Sequence, residues 1–386
     1  MTGGALVGVR VVDVSRVLAG PYCAQLLGDH GADVVKVEPV TGDLTRSWGP
    51  SRPDGVSAYY AGLNRNKRHL AADLGTSEGR ELLLELLADA DVLVENFKPG
   101  AMTRWGLAPD MLAERFPRLV HCRISAFDPD GPMAGLPGYD AVIQAYTGIM
   151  DLNGEPGGPP LRVPMPVVDL TTGLLALSGV LLALHEREES GRGQRVDISL
   201  VDGAMSLLHP AAANYFMTGA PPHRLGSAHP NIAPCETFPS SAGEIYVAAG
   251  SDRQFAELVS FLGAPELADD PQFRRNADRL AHRHELNAVL ARLIAALDPD
   301  VDLARTLIAE GVPATLVRSL PQVLDAEDVA ARGMVTELDG LRMLGVPVRL
   351  SRTPGSIRTP PRPLGADQVG GGRPSTRPGT PTKRAE

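Results

Sequence analysis

Asp169 has the sequence surroundings that a chemical step would require. It closes Pro166-Val167-Val168 and opens an apolar stretch, residues 170–184, broken by Thr171, Thr172 and Ser178. A helix N-cap accounts for such an aspartate. A covalent nucleophile fits the same geometry, because the orphan N–H groups and dipole of a helix start favour an ionised carboxylate. The two readings are compatible.

Cations gather in two places. Asn64-Arg65-Asn66-Lys67-Arg68 holds three of them in four residues, in a polar stretch before Asp73. This reads as a solvated loop or as a phosphate site, since Arg offers bidentate contacts and Lys a point charge. Glu95-Asn96-Phe97-Lys98-Pro99-Gly100 directly follows a strand-like run, with Arg104 just beyond. Gly226-Ser227-Ala228-His229-Pro230-Asn231 has the composition of a loop. Its His229 is either a base or ligand, or an ordinary loop histidine. Tyr139-Asp140 opens a helix-like stretch to Met150, with Asp140 read as a cap.

The elements that must position these residues follow from periodicity. Short β-branched runs at 9–14, 33–38, 91–95, 119–125 and 195–199 read as strands. Helices are expected at 19–29, at 77–90 with Thr76 or Ser77 as cap, and after Asp169. Strands alternating with helices indicate a parallel sheet covered on both faces, so the fold class is α/β with a Rossmann-like large domain. Ligands in such sheets sit beyond the carboxyl ends of the strands. Beyond a Pro-rich break at 221–233, a strand at 244–249 and helices at 253–262, 284–297 and 301–311 form a smaller α+β domain. The expected division is 1–220 for the large domain, rejoined by 331–365, with 221–330 for the small one. Residues 346–363 read as short strand and Pro-rich pieces, and residues 366–386 as a disordered basic tail.

Composition narrows the function. Gly and Pro make up about a fifth of 386 residues without a three-residue period, which excludes a collagen-like chain and predicts many loops. A formal charge of −9 argues against nucleic-acid partners held by general electrostatics. Cys23, Cys122 and Cys235 are too far apart in sequence for a CxxC metal site or a disulfide framework, so no metal is expected and a reducing cytoplasm fits. The apolar stretch is shorter than a span of ~20 residues, so a buried helix is expected and no membrane partner. The turn after the first strand, Ser15-Arg16-Val17-Leu18-Ala19-Gly20-Pro21, lacks the glycines of a dinucleotide-binding turn.

In order along the chain, VVDVSRVLAGPYCAQLLGDHGADVVKVEP, NRNKRHLAADL, DVLVENFKPGAMTRWGL, GPMAGLPGYDAVIQAYTG, PVVDLTTGLLAL, SGRGQRVDISLVDGA and HPNIAPCETF resemble the class III CoA-transferases, the formyl-CoA and carnitine type. The likeness runs from about Val9 to Pro363. It implies an interlocked, ring-like homodimer. It implies acyl-CoA and carboxylic acid substrates, with coenzyme A as a substrate rather than a tightly held cofactor. The family's catalytic aspartate falls on Asp169, which would form first an acyl anhydride and then an aspartyl-CoA thioester. CoA contacts carry over onto Val17, Lys67, Arg68, Asn96, Phe97, Arg104 and Tyr139. The active-site loop carries over onto Gly226, Ser227 and His229, whose backbone N–H groups would stabilise tetrahedral oxyanions. Leu18 stands where the formyl-CoA enzymes have glutamine, which disfavours formyl and oxalate substrates, and Ala126-Phe127-Asp128 replaces Gly-Phe-Gly. The HPNIAP motif resembles transferases that use succinyl-CoA and small dicarboxylates.

Two rivals share these features. An α-methylacyl-CoA racemase would use a His directly before an Asp, but Tyr139 holds that position, and tyrosine, with an ordinary pKa of about 10, is a poor base at neutral pH. A non-catalytic CoA-binding protein would need the cations but not Asp169.

Overall fold

The structure, a computed structural model, describes residues 3–298 and 301–368. Six strands form one sheet: β1 (Arg10–Asp13), β2 (Asp33–Glu38), β3 (Lys67–Ala71), β4 (Val92–Glu95), β5 (Val120–Ser125) and β6 (Arg195–Ser199). All pairings are parallel and the order is β3-β2-β1-β4-β5-β6. The chain leaves β1 in one direction and resumes beside it in the other. The crevice between the carboxyl ends of β1 and β4 is therefore the switch point where ligands enter doubly wound sheets.

Period-two alternation divides the strand residues between the two faces. Val12, Val35, Val37 and Leu93 pack with Leu83, Leu86 and Leu87 of the Ser77–Leu87 helix and with Leu107 and Leu112. Val11, Val34, Val92 and Cys122 are as fully buried on the other face. That side carries the Ala19–Asp29 helix, buried at all positions but Tyr22, and the Val167–Ser190 helix packed across it. A Cβ on Gly173 would stand 2.8 Å from the Ala19 carbonyl oxygen, so the two helices meet this closely because position 173 has no side chain. The Val167–Ser190 helix is long and apolar enough to cross a bilayer, but its Val168, Thr172, Ala176, Val180 and Ala183 are buried in the protein.

The polar stretch at residues 64–68 is in fact a turn, 64–66, running into the start of β3, and all of it but the partly exposed Arg68 is buried. Its cations are matched by acids from neighbouring strands and helices rather than by water. Lys67 Nζ, 2.9 Å from Asp13 Oδ2, also donates to the Pro21 carbonyl at 2.8 Å and to Asn64 Oδ1 at 2.9 Å. Arg65 pairs with Asp29 at 2.7 Å and Arg68 with Asp33 at 2.8 Å. Lys36 Nζ lies 3.6 Å from Asp13 and 3.8 Å from Asp43, and donates to the Ser15 carbonyl at 2.7 Å. Burial alone would raise the Asp13 pKa, but Lys36 and Lys67 overcome it and hold the carboxyl below its ordinary value. Burial pushes Lys67 down to about 8.

The chain divides into two units, one of residues 1–147, 163–207 and 327–386 and the other of 148–162 and 208–326. The second therefore begins earlier than a division at 220, and takes in residues 148–162 as well. It is built on the antiparallel sheet β7 (Cys235–Ser240), β8 (Gly243–Ala248) and β9 (Ala314–Leu316). Helices Asp252–Phe261, Arg283–Ala295 and Leu303–Ala309 close its core around Phe238, Ile245, Val247, Phe255 and Leu286. Within the first unit, Val335–Leu338 and Leu341–Leu344 form a hairpin (β10 and β11). Residues 346–363 contain no strand; they follow the large unit as a strap, with Ser356 N donating to Asp29 O at 2.8 Å and Arg358 N to Asn66 Oδ1 at 2.7 Å. The first residues of the expected tail, 366–368, are described. Asp367 accepts from His69 N at 2.8 Å and Gln368 donates to Ala71 O at 2.8 Å, while the rest of that tail lies outside the described residues.

The buried cluster makes a stability prediction. Lys67→Met leaves Asp13 with Lys36, at 3.6 Å, as its one cation and should cost about 3–5 kcal/mol in urea unfolding. The double variant Asp13→Asn/Lys67→Met should recover much of the loss. A loss under about 1 kcal/mol, with weakened anion binding instead, would return Lys67 to ligand recognition.

Candidate active site

The same buried cluster sets the loop at the carboxyl end of β1. Asp13 Oδ1 accepts from Ser15 N at 3.0 Å and from Ser15 Oγ at 2.5 Å, which turns the chain immediately after the strand. Asp43 accepts from Val17 N at 3.1 Å and from Thr45 N at 3.0 Å. These bonds hold Val17 at φ +69°, a left-handed conformation that a β-branched residue rarely adopts. Such strain persists where the surroundings over-determine it, commonly at ligand sites. Asn96, after β4, clamps the loop from the far side. Its Oδ1 accepts from Arg16 N at 2.8 Å and its Nδ2 donates to Arg16 O at 2.7 Å.

Between these loops lies a cavity of about 530 Å³ at the switch point. Its rim includes Arg16, Val17, Asn96, Phe97, Lys98 and Arg104. Phe97 stands edge-on to Trp105 with ring centroids 5.0 Å apart, and the Arg16 guanidinium lies 5.3 Å from the Phe97 ring. Arg16, Lys98 and Arg104 are all exposed, so three cations face solvent around an otherwise mostly apolar opening. Tyr139, 54% exposed, and the buried Leu18 complete the wall near Asp169.

Asp169 reaches this cavity from the first turn of the Val167–Ser190 helix. It is not the N-cap; Pro166 holds that position and offers no side-chain acceptor. Asp169 is 8% exposed, and among the described residues its carboxylate accepts no hydrogen bond from the protein. Burial, and then the negative charge of Asp140, raise its pKa to about 7. A carboxylate without donors and with raised basicity is a better nucleophile than a solvated one.

The structure brings together Val17, Asn96, Phe97, Arg104, Tyr139 and Asp169 of the expected site residues. Of the expected ligand contacts, Lys67 and Arg68 are not among the residues that line this cavity. All the polar directions of the Lys67 ammonium are taken up inside the core. Arg68 is held against Asp33 at the amino end of β2, whereas the cavity lies at the carboxyl ends. Arg16 and Lys98 take their place as the further cations of the rim. Arg16 stands in a turn without the glycines of a dinucleotide-binding motif, so no local pattern marks it as a ligand contact. Gly226, Ser227 and His229 belong to the smaller unit. There Gly226 adopts φ +60°, Ser227 Oγ meets Thr237 Oγ1 at 2.8 Å, and His229 Nδ1 accepts from Asn231 N at 3.1 Å.

Comparison with known proteins gives a consistent result. The family model described as CoA-transferase family III matches residues 6–368. A succinate–glutarate CoA-transferase of Agrobacterium fabrum is 39% identical over 376 residues, covering 94% of each chain. A succinyl-CoA:mesaconate CoA-transferase of Haloarcula hispanica is 37% identical over 364 residues, covering 91% of each. Among solved structures, a CaiB/BaiF family protein from Brucella suis superposes with a TM-score of 0.84 at 40% identity, covering 94% of this chain and 97% of that one.

The raised pKa of Asp169 has two consequences with opposite signs. If Asp169 acts as a nucleophile, its ionised form is the one that reacts, and kcat/KM should rise with pH through a midpoint near 7. Stability should move the other way. A folded-state value above the ordinary 3.8 means that the group's contribution is full below about pH 4 and is lost as pH rises through about 7. Asp169→Asn should therefore abolish turnover yet melt higher than wild type at pH 8, by on the order of 2 kcal/mol, with the gap closing toward pH 5. Thermal melts at the two pH values check this; an Asn variant less stable at pH 8 contradicts it.

Proposed function

The chain belongs to CoA-transferase family III, and from that premise we propose that it carries coenzyme A from an acyl-CoA donor, with succinyl-CoA the first candidate, to a carboxylic acid through a covalent intermediate on Asp169. The observation that carries this reading is the donor-free, buried carboxylate of Asp169 facing a cavity whose rim bears three exposed cations. Succinyl-CoA is named for the Haloarcula hispanica relative, and the Agrobacterium fabrum relative is named for succinate and glutarate.

The proposed sequence balances without an added nucleotide. An Asp169 oxygen attacks the thioester carbonyl; the C–S bond breaks, leaving an acyl-aspartyl anhydride and CoA thiolate. The thiolate attacks the aspartyl carbonyl carbon of the anhydride, and the donor acid departs as its carboxylate. The acceptor carboxylate then attacks the aspartyl thioester, again releasing thiolate. Attack of that thiolate on the acceptor's acyl carbon yields the new acyl-CoA and restores the Asp169 carboxylate. A carboxylate and a thiolate exchange one acyl bond of similar energy at each stage. The nucleotide end of CoA carries several negative charges, suiting Arg16, Lys98 and Arg104, and its adenine suits the Phe97 side of the rim. The buried Leu18 favours substrates that bring no polar group to that point.

Incubation with succinyl-CoA followed by hydroxylamine should leave a hydroxamate mass shift on the peptide containing Asp169. A shift on another residue sinks the assignment. Arg104→Ala should raise KM for the acyl-CoA about tenfold with kcat little changed, because phosphate anchoring is largely uniform binding. A loss confined to kcat would argue against that role.

A homodimer belongs to the same proposal. The Val167–Ser190 helix exposes Leu174, Leu181 and Leu182, and in the smaller unit the Ala211–Thr218 helix exposes Phe216 at 81% and Met217 at 87%. Apolar surface of this kind marks an interface. Light scattering should give twice the chain mass at micromolar concentration; a monomer refutes it. We also assign the protein to a reducing cytoplasm, a reading supported by three buried free thiols, Cys23, Cys122 and Cys235.

A further inference from the structure

The start of the Val167–Ser190 helix raises a question of hydrogen-bond accounting. The N–H groups of a first helical turn have no partner within the helix. Pro166, at the N-cap, supplies none, and the intrahelical ladder begins with Leu170 N donating to Pro166 O at 3.0 Å. Val168 is fully buried and Asp169 nearly so, so water is a poor substitute. The acceptor comes from another helix. Asp140 Oδ2 accepts from Val168 N at 2.8 Å and from Asp169 N at 3.2 Å. Asp140 is itself 7% exposed and anchored: its Oδ1 accepts from Gln144 Nε2 at 2.6 Å, and Gln144 Oε1 accepts from Val163 N at 3.0 Å.

We propose that Asp140 is the positioning residue for Asp169: it supplies from the Asp140–Tyr146 helix the cap that the Val167–Ser190 helix lacks, and thereby keeps the Asp169 carboxylate directed into the cavity. The proposal rests on the reading of Asp169 as the acyl acceptor. Its physical core is competition for the same amides. An aspartate in a first helical turn can fold its own carboxylate back onto the free N–H groups. With those groups already saturated by Asp140, Asp169 has no reason to fold back, and its carboxylate accepts no hydrogen bond from the described residues. The elements packed against this helix bring Tyr22, Cys23, Asp29, His121, Cys122, Arg123, Arg195, Asp197, Asp202, Tyr146 and Asp140 as ionisable groups. Arg123 is paired with Asp197 at 2.6 Å, and Asp202 accepts from Ser199 Oγ at 2.6 Å. Asp140 is the one whose charge bears on Asp169.

Two variants separate the acceptor from the charge. Asp140→Asn keeps an oxygen for the two N–H groups but removes the charge; Asp140→Ala removes both. Under the proposal, Asp140→Asn retains kcat within about tenfold and moves the acid limb of kcat/KM to lower pH by half a unit or more. Asp140→Ala loses about 100-fold in kcat, with KM within about threefold, as misplacement of a reacting group by about an ångström does. Asp140→Ala with wild-type kcat, or Asp140→Asn with an unmoved acid limb, overturns the proposal. So does equal impairment of both variants. Because Asp140→Asn preserves shape, its pH profile can still overturn the proposal even if Asp140→Ala does not fold. Hydroxylamine trapping in the wild type keeps the two readings apart. An Asp169 adduct with unresponsive variants defeats the positioning role alone, whereas no adduct on Asp169 defeats the functional reading and this proposal together.

Discussion

Two lysines whose ammonium groups end inside a parallel α/β layer set the terms for the rest of the large unit. Lys36 and Lys67 are essentially unexposed, and isolated charges in that position would be prohibitively costly. Asp13 and Asp43 neutralise them, and Ser15, Asn64 and the Pro21 carbonyl complete the hydrogen bonding. The same two aspartates bind the backbone of Ser15 and Val17. The charge cluster and the loop that floors the cavity are therefore one construction. Breaking the cluster would release the strained Val17 conformation as well as destabilise the sheet.

Glu38 continues this construction along the end of β2. It receives both arms of Arg46 at 2.7 Å, the Tyr60 hydroxyl at 2.6 Å and Asp43 N at 2.9 Å. Burial opposes ionisation there, but Arg46 and the neighbouring donors hold the carboxyl far below its ordinary value. Asp169 is the opposite case. It is also buried, but it has a like charge nearby and no donors, so its pKa moves up. Glu38 shows what this fold does with a structural carboxylate, and Asp169 departs from that pattern at the one place where the cavity opens. Such a departure costs stability, and functional sites are where proteins commonly retain it.

Much of this was legible in the sequence. Strands β1, β2, β4, β5 and β6 announced themselves as β-branched runs, and the apolar stretch after Asp169 as a helix. The position of Asn96 and Phe97 directly after β4 placed them at a strand's carboxyl end. β3 was not legible: Lys-Arg-His-Leu-Ala has the composition of a solvated loop, and its burial depends on Asp13, Asp29 and Asp33, whose approach no local pattern records. Asp140 was legible as a cap, but of its own helix. That it caps a different helix, 28 residues further along the chain at Val168, is a tertiary fact.

The sequence by itself determined five of the six strands of the large sheet and the helices between them, that they wind into a parallel sheet, and which motifs belong to CoA-transferase family III. Those properties depend on local periodicity and on residue types in order, and both are written along the chain. The tertiary structure decided which charged groups are buried and which remain for a ligand. It turned Lys67 inward, paired Arg68 with Asp33, left Arg16, Lys98 and Arg104 at the rim, and put Asp140 against the amides of the Asp169 helix. The physical reason is that the fate of a charge depends on its solvent and its partners, and both are set by contacts between residues distant in sequence.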